Sequence, residues 1–196
     1  MTITIPVPRP RPLALVFAGA LLGATLIGPV SAQAPAAVEP VAIQTRAASC
    51  QGMNFHPIDS ETDYEYIGND LARSSLDGSG YFLCDPGLPH RAVVTRVAFT
   101  VFDASDASEV RYCGLFRSGL IPTNVEPSEK MAEVPGTGVA ATPSVVRLVD
   151  TSIAFATIDN VRYGYWLQCQ LPPNGLNDFA GLYGASVTYT IDSANG

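Results

Sequence analysis

Apolar and polar residues alternate over two neighbouring stretches between residues 91 and 117, as they do in β-strands that bury one face. The segment 103–108, which separates the two stretches, holds the small and polar residues that turns favour. We predict two long strands joined as a hairpin, whose apolar face a second sheet must cover. The apolar positions that share a face are Val93, Val97, Phe99 and Val101 in the first stretch, and Cys113 and Leu115 in the second.

Further stretches have strand composition and are separated by turns rich in Gly, Pro, Asn and Asp. One short stretch, 126–132, is a candidate for helix, and Pro127 limits it to a single turn. Many short strands at this spacing predict an all-β fold, a single antiparallel two-sheet sandwich of the jelly-roll or immunoglobulin-like kind. The further predicted strands are 62–67, 81–84, 145–149, 153–157, 161–171 and 181–191.

The last two predicted strands show the most regular alternation. Gly184 lies inside the second of them and indicates a bulge or a close approach of another backbone. Residues of one parity are predicted to face the core, and the intervening Ser and Thr residues to face away from it. The predicted core positions are Val161, Tyr163, Tyr165, Leu167, Cys169 and Leu171, and then Tyr183, Ala185, Val187 and Tyr189.

The N-terminal segment has the composition of a signal peptide. Arg9 and Arg11 precede a long apolar run, and small residues at 30–32 suit cleavage after Ala32, whereas Pro35 disfavours a cut after Ala34. An uncleaved membrane anchor is the alternative, because the apolar run is close to the shortest length that spans a bilayer. We therefore predict a signal peptide over residues 1–32 and a secreted or periplasmic protein.

The segment after the predicted cleavage site, 33–49, is rich in Ala and Pro and is predicted to be a flexible leader or an extended arm. Its residues 40–44 alternate in the way that would let them add as a strand to this domain or to a neighbouring subunit. We predict that the β-sandwich domain follows over residues 50–196.

The net charge restricts the class of partner. The whole chain has a formal charge of −7, and cleavage would remove two Arg and no acidic residue, which gives −9. An acidic surface repels phosphate backbones and anionic headgroups, so we expect no nucleic-acid partner and no membrane association after cleavage.

The chain contains four cysteines, which in an exported protein predict two disulfides. Three connectivities are possible, and the spacing has neither the CxxC nor the HxxxH pattern of a zinc site. Cys113 and Cys169 share the inward parity of long strands, whereas Cys50 and Cys84 flank the N-terminal third. The predicted pairs are therefore Cys113–Cys169 and Cys50–Cys84.

Several local motifs resemble those of a loose group of exported bacterial β-sandwich proteins of unassigned function. The resemblance covers about residues 84–191, and it implies a fold but no catalytic residue or ligand. The motifs are Leu88-Pro89-His90-Arg91 before a strand ending at Asp103, Leu115-Phe116-Arg117, Ile158-Asp159-Asn160 before Tyr163, and Tyr183-Gly184 before Val187-Thr188-Tyr189.

Candidates for catalysis are few. His56 lies near Asp59 and His90 near Asp85, so a His–carboxylate dyad is conceivable, but both histidines adjoin prolines in stretches typical of turns. The chain has no G-x-S-x-G sequence and no glycine-rich phosphate loop. We predict no catalytic residue and therefore no enzyme.

Acidic residues alternate between positions 59 and 65. In an extended strand these carboxylates would share one face, as in a surface Ca²⁺ site, although a solvated edge strand that avoids edge-to-edge pairing has the same pattern. No other cofactor is indicated. The residues are Asp59, Glu61, Asp63 and Glu65.

Trp166 is the one tryptophan of the chain, and its parity is opposite to that of the core residues around it. It shares the predicted outer face with Arg162 and Gln168, a combination that would hold a sugar ring through ring stacking and hydrogen bonds. The alternative is that a loop or the 33–49 arm covers Trp166.

These patterns together predict an exported, non-enzymatic β-sandwich that acts as a binding or structural module of the cell envelope or surface. A carbohydrate-recognition module is the alternative, and a hydrolase with an unrecognised site is a third. The expected partners are a glycan or neighbouring protein subunits.

Overall fold

The computed structural model describes residues 42–68, 70–73, 79–104, 109–120, 128–138, 143–173 and 179–192. The predicted signal peptide, the leader up to residue 41, the turn residues 105–108 and the first residues of the predicted helical turn lie outside the described residues. Among those described, no helix is long and apolar enough to span a membrane.

The described residues form strands in two antiparallel sheets, which confirms the predicted β-sandwich. The six-stranded sheet has the order β3-β4-β11-β6-β9, with β1 also beside β11, and the five-stranded sheet has the order β2-β5-β10-β7-β8. A 3₁₀ turn, Gly52–Asn54, follows β1. The strands are β1 Ile43–Gln51, β2 His56–Pro57, β3 Tyr64–Ile67, β4 Asp70–Arg73, β5 Gly80–Cys84, β6 Val93–Asp103, β7 Arg111–Gly119, β8 Glu129–Glu133, β9 Ser144–Asp150, β10 Tyr163–Leu171 and β11 Ala180–Asp192.

The apolar core fills the space between the two sheets. Alternate residues of β10 and β11 point inward, as the parity of the sequence predicts for most of them. Val161 is an exception, because it precedes β10 and is exposed. The largest fully buried side chains include Phe55, Phe82, Phe99, Leu115, Leu167 and Leu182.

The two long strands predicted as a hairpin belong to different sheets, so that prediction is wrong. β6 pairs with β11 and β9, whereas β7 pairs with β10 and β8. The connecting segment therefore crosses from one sheet to the other. Both strands still turn an apolar face to the core, which is why alternation alone does not distinguish a hairpin from a crossover.

Two further local predictions are corrected. Residues 129–132 of the predicted helical turn belong instead to the edge strand β8, Glu129–Glu133. Residues 153–157, predicted as a strand, contribute a single bridge from Thr157 to Val93. The Ala154 N–H donates to the Met131 carbonyl at 2.7 Å, so this segment covers part of the free edge of β8.

Bulges shift the parity of two strands. The register of β11 against β6 slips between Leu182 and Gly184, and as a result Tyr183 points outward although its parity predicted the core. A side chain at Gly184 would meet the Cys50 carbonyl, which confirms the predicted close approach. A second slip, between Thr188 and Tyr189, leaves Val93 exposed and Val94 buried.

The described part of the predicted leader lies in the six-stranded sheet. β1 pairs antiparallel with β11 from Ile43, opposite Asp192, to Gln51, opposite Gly184. This strand spans residue 50, where the sequence placed the start of the domain.

Both predicted disulfides are present. Cys50–Cys84 joins β1 to β5 and so links the two sheets, with its Cα atoms 6.5 Å apart. Cys113–Cys169 joins the neighbouring strands β7 and β10 within the five-stranded sheet.

Candidate functional site

The outward surface of the five-stranded sheet carries the most distinctive group of side chains. In β10 the residues from Tyr165 to Leu171 alternate between the core and the outside, so Trp166, Gln168 and Gln170 point outward. Phe116 of β7 lies directly opposite Trp166 in the strand register. We call these four residues (Phe116, Trp166, Gln168 and Gln170) the Trp166 face.

The two aromatic rings of the Trp166 face lie beside one another. Their centroids are 6.1 Å apart and their planes differ by 17°, so they are close to parallel. Both side chains are partly exposed. Because each ring sits on a hydrogen-bonded strand, the pair is held in place before any ligand arrives.

Amide groups continue this surface along β10. The Trp166 Nε1–H donates to Gln168 Oε1 at 3.4 Å, and the Gln170 amide donates to the Ser79 hydroxyl. Gln170 Oε1 is buried and has no hydrogen-bond partner among the described residues. A buried amide oxygen without a partner is unfavourable.

Charged groups lie beside the aromatic pair on β8. Lys130 lies opposite Phe116 in the strand register and forms an ion pair with Glu133. The Glu133 N–H donates to Asp150 Oδ2 at 3.1 Å. A cavity of about 690 Å³ opens here, and its polar and aromatic lining includes Glu109, Arg111, Tyr112, Lys130, Glu133 and Asp150.

A smaller cavity of about 220 Å³ lies at the start of β10, two residues before Trp166. Asp85, Leu120, Asn160 and Gly164 contribute to its lining. Gly164 has the outward parity of Trp166, and the Leu120 side chain packs against it, since a Cβ there would lie 3.4 Å from Leu120 Cδ2.

The structure brings together two of the three predicted ligand residues. Trp166 and Gln168 are hydrogen-bonded, whereas Arg162 precedes β10 and its guanidinium lies 3.7 Å from Asp159. With 75% of its side chain exposed, Arg162 is a solvated turn residue. The predicted alternative, coverage by the arm, does not hold for residues 43–49, because β1 belongs to the other sheet.

Sequence reasoning missed Phe116, Lys130 and Tyr112. Phe116 has the parity opposite to Cys113 and Leu115, which would have marked it as outward. Its position beside Trp166 depends on the register between β7 and β10, which are separated by more than forty residues of sequence. No local sequence pattern determines this register.

The acidic run does not form a ladder on one face. Asp59, Glu61 and Asp63 precede β3, and only Glu65 lies in the strand. Asp59 Oδ1 accepts hydrogen bonds from the Glu61 N–H at 3.1 Å and the Thr62 hydroxyl at 2.8 Å, which closes a local turn. Among the described residues, no three His, Cys, Asp or Glu side chains are grouped to hold a metal ion.

Neither histidine pairs with the carboxylate suggested by the sequence. His56 Nδ1 lies 3.5 Å from the Tyr66 hydroxyl, and His90 Nδ1 accepts from the Asn160 N–H at 3.2 Å. The carboxylate beside His90 is Asp159, at 3.9 Å, and both side chains are well exposed. Asp85 instead accepts from the Gly87 N–H at 2.8 Å.

The phenol of Tyr66 is the perturbed titratable group of this region. Its hydroxyl donates to the Phe55 carbonyl at 2.9 Å. Burial raises the pKa of Tyr66, and the neighbouring Tyr64 raises it further. A raised phenol pKa keeps the group protonated at neutral pH, which suits a structural hydrogen bond.

Comparison with known proteins gives only distant likenesses. No protein-family model matches the chain, and no curated protein matches it. A family 29 carbohydrate-binding module complexed with mannohexaose is 11% identical with a TM-score of 0.40, over 75% of this chain and 92% of that one. The N-terminal cellulose-binding domain of β-1,4-glucanase C from Cellulomonas fimi is 8% identical with a TM-score of 0.33, over 75% and 88%.

A family two carbohydrate esterase from Cellvibrio japonicus is also similar over part of its length. It is 8% identical with a TM-score of 0.34, over 77% of this chain and 36% of that one. Identities and scores of this size do not carry a function from any of these proteins to this chain.

Proposed function

We propose that this chain is a non-enzymatic binding module that holds a neutral carbohydrate on its Trp166 face. The observation that carries the proposal is the near-parallel pair of Phe116 and Trp166 on neighbouring strands. Aromatic faces are apolar and carry negative charge density, so they pack well against the C–H faces of a sugar ring. Two such rings side by side provide a platform longer than a single residue.

The polar groups around the platform fit the hydroxyls of a sugar. Amides both donate and accept hydrogen bonds, as hydroxyls do, so Gln168 and Gln170 suit a ligand rich in O–H groups. The Gln168 side chain is partly exposed beside the indole, where a sugar hydroxyl can reach it. A few polar groups around an apolar surface are the usual composition of a small-ligand site.

The charges of this region favour a neutral glycan over an anionic one. Glu109, Glu133 and Asp150 line the larger cavity together with Arg111 and Lys130, which pair with Glu109 and Glu133, so one carboxylate is in excess there. Asp85 lines the smaller cavity. The chain as a whole has a formal charge of −7. A uronic or sulfated polysaccharide would be repelled by this surface.

The remaining features support an exported module. Two disulfides are typical of chains that fold in an oxidising compartment, which agrees with a secreted or periplasmic location. Both histidines lie on exposed turns or edges rather than beside a carboxylate in an enclosed cleft. Binding therefore accounts for the arrangement better than catalysis.

The test is affinity electrophoresis of the exported chain in gels that contain neutral polysaccharides (cellulose derivatives, mannan and xylan) or anionic ones (pectin and alginate). We expect retardation by at least one neutral polymer. Trp166→Ala should weaken binding about tenfold or more, as loss of a central aromatic contact does. Tyr183→Ala is the matched control, because Tyr183 is a partly exposed aromatic residue on the other sheet.

Two results would contradict the proposal. One is the absence of retardation by every neutral polymer, and the other is an equal affinity of the wild type and the Trp166→Ala variant. Gln168→Ala gives a second measure, with an expected loss of about fivefold for one hydrogen bond.

A further inference from the structure

The outward surface of the six-stranded sheet, opposite the Trp166 face, contains a separate cavity of about 300 Å³. We call it the Tyr183 cavity. Its volume is at the lower end of the ~300–1,000 Å³ typical of small-molecule sites, which suits a compact group rather than a polymer chain. It is lined by Ile67, Asp70, Phe102, Phe179, Gly181 and Tyr183.

Three aromatic rings form the walls of the Tyr183 cavity. The rings of Phe102 and Phe179 have centroids 5.7 Å apart and planes inclined at 52°, so they form an angled pair. Tyr183 joins them because the bulge in β11 turns it outward. Gly181 lies directly opposite Phe102 in the register, and its lack of a side chain lets the Phe179 ring pack against the sheet, since a Cβ there would lie 3.3 Å from Phe179 Cε1.

A carboxylate without a partner lies in the same cavity. The Asp70 carboxylate has no hydrogen bond or ion pair with any described residue, although the backbone pairs with Ile67. Burial raises the pKa of Asp70, so its ionised form lacks compensation in the free protein. A cation placed between the rings would supply that compensation.

A second negative charge lies near the Tyr183 cavity. Across the sheet, Glu65 lies opposite Ala72, and Ala72 lies opposite Gly181 of the cavity lining. Glu65 therefore points to the same outward side of the sheet as Gly181. Arg96 in β6 and Arg147 in β9 are basic residues of this face, and neither is part of the lining. Two carboxylates near the rings make this part of the sheet attractive to a positive charge.

We propose that the Tyr183 cavity is a binding site for an organic cation of the alkylated ammonium type. Aromatic faces attract such cations through their quadrupoles, and a carboxylate at the rim adds charge complementarity. A sugar would find few hydrogen-bonding groups here, since Asp70 and the Tyr183 hydroxyl are the polar side-chain groups of the lining. A purely apolar occupant would bury Asp70 further without a partner, which is unfavourable.

The experiment is a titration of the exported chain, followed by NMR chemical shifts, with choline and with its uncharged isostere 3,3-dimethyl-1-butanol. We expect choline to bind at least tenfold more tightly than the alcohol. Asp70→Asn and Tyr183→Ala should each weaken choline binding about fivefold or more, whereas Tyr183→Phe, which keeps the ring, should retain it. Equal affinities for the two probes, or no effect of Asp70→Asn, would overturn the proposal.

Trp166→Ala separates this inference from the proposed function, because the two sites lie on opposite faces. That variant should bind choline as the wild type does while losing affinity for polysaccharide. If it loses choline binding as well, while its melting temperature is unchanged, the Tyr183 cavity is not the cation site.

Discussion

Arg117 is a charged residue on the core side of β7, two positions along from the buried Leu115. Its guanidinium lies between two rings, with Cζ 3.8 Å from the Phe155 centroid and 4.1 Å from the Tyr163 centroid. Nε and Nη2 both donate to Glu129 Oε2 at 2.7 Å. Only 10% of the side chain is exposed, so one residue ties β7 to β8, β10 and the segment after β9.

Replacing Arg117 by alanine should lower the free energy of unfolding by about 2 kcal/mol, since it removes a buried cation that packs between two rings and pairs with the partly exposed Glu129. Urea denaturation measures the change. The control is Arg147→Ala, at an exposed position of β9, where we expect a change within about 0.5 kcal/mol. Equal losses for the two variants would show that the cation between the rings does not stabilise the fold.

At the level of the strand, β1 is the element whose contribution to stability is least evident from its amino-acid composition. Its residues are mostly exposed, yet it forms a continuous ladder with β11 over nine register positions. The backbone hydrogen bonds of β11 on this side depend on β1, because β4 pairs only with Gly181 and Leu182.

Deleting residues 33–48 should lower the melting temperature by about 5–10 °C, because most of the ladder to β11 is lost. Differential scanning calorimetry measures this change, and size-exclusion chromatography measures whether the chain remains the same size. Replacing residues 33–41 by a Gly/Ser sequence of equal length is the control, since it keeps β1. An unchanged melting temperature after the deletion would mean that β1 adds nothing to stability, and the loss of a larger assembly would mean that it pairs with a neighbouring subunit.

For the molecule as a whole, the two disulfides connect different parts of the fold. Cys50–Cys84 connects the two sheets, with a sequence separation of 34, and Cys113–Cys169 connects adjacent strands of one sheet, with a separation of 56. A covalent link restricts the unfolded chain in both cases, more so for longer loops.

Replacing both Cys50 and Cys84 by alanine should therefore cost about 4 kcal/mol of unfolding free energy, by the loop-entropy relation. Guanidinium chloride denaturation of the variant and the wild type measures this loss. Reduction of the wild type should produce a larger loss than the double substitution, since it opens both links. If reduction leaves the denaturation midpoint unchanged, the disulfides do not stabilise the fold.

The sandwich also separates the two proposed sites. The Trp166 face and the Tyr183 cavity lie on the outward surfaces of different sheets. Each site contains an aromatic residue whose substitution should leave the other unaffected, which makes Trp166→Ala and Tyr183→Ala reciprocal controls. A module of this kind would hold a polymer on one side and a small cation on the other.

Alternation along single strands was enough to predict the fold class, the inward positions of Cys113, Leu115 and Leu167, and the outward position of Trp166. This is possible because the side-chain direction follows from the pleat of the strand itself and needs no knowledge of its neighbours. The cysteine pairing could be predicted for the same reason, since two cysteines that both point into the core are able to form a disulfide with one another.

The tertiary structure was needed to determine which strands pair with one another. Three features depend on long-range register. They are the separation of β6 and β7 into different sheets, the contact of Phe116 with Trp166, and the contact of Asp70, Phe102 and Tyr183 around one cavity. Register is set by the packing of the whole core, and a bulge such as the one at Gly184 reverses the parity of the residues beyond it. The sequence therefore indicated Trp166 and Gln168 as ligand residues but not their partner Phe116, and it gave no sign of the Tyr183 cavity.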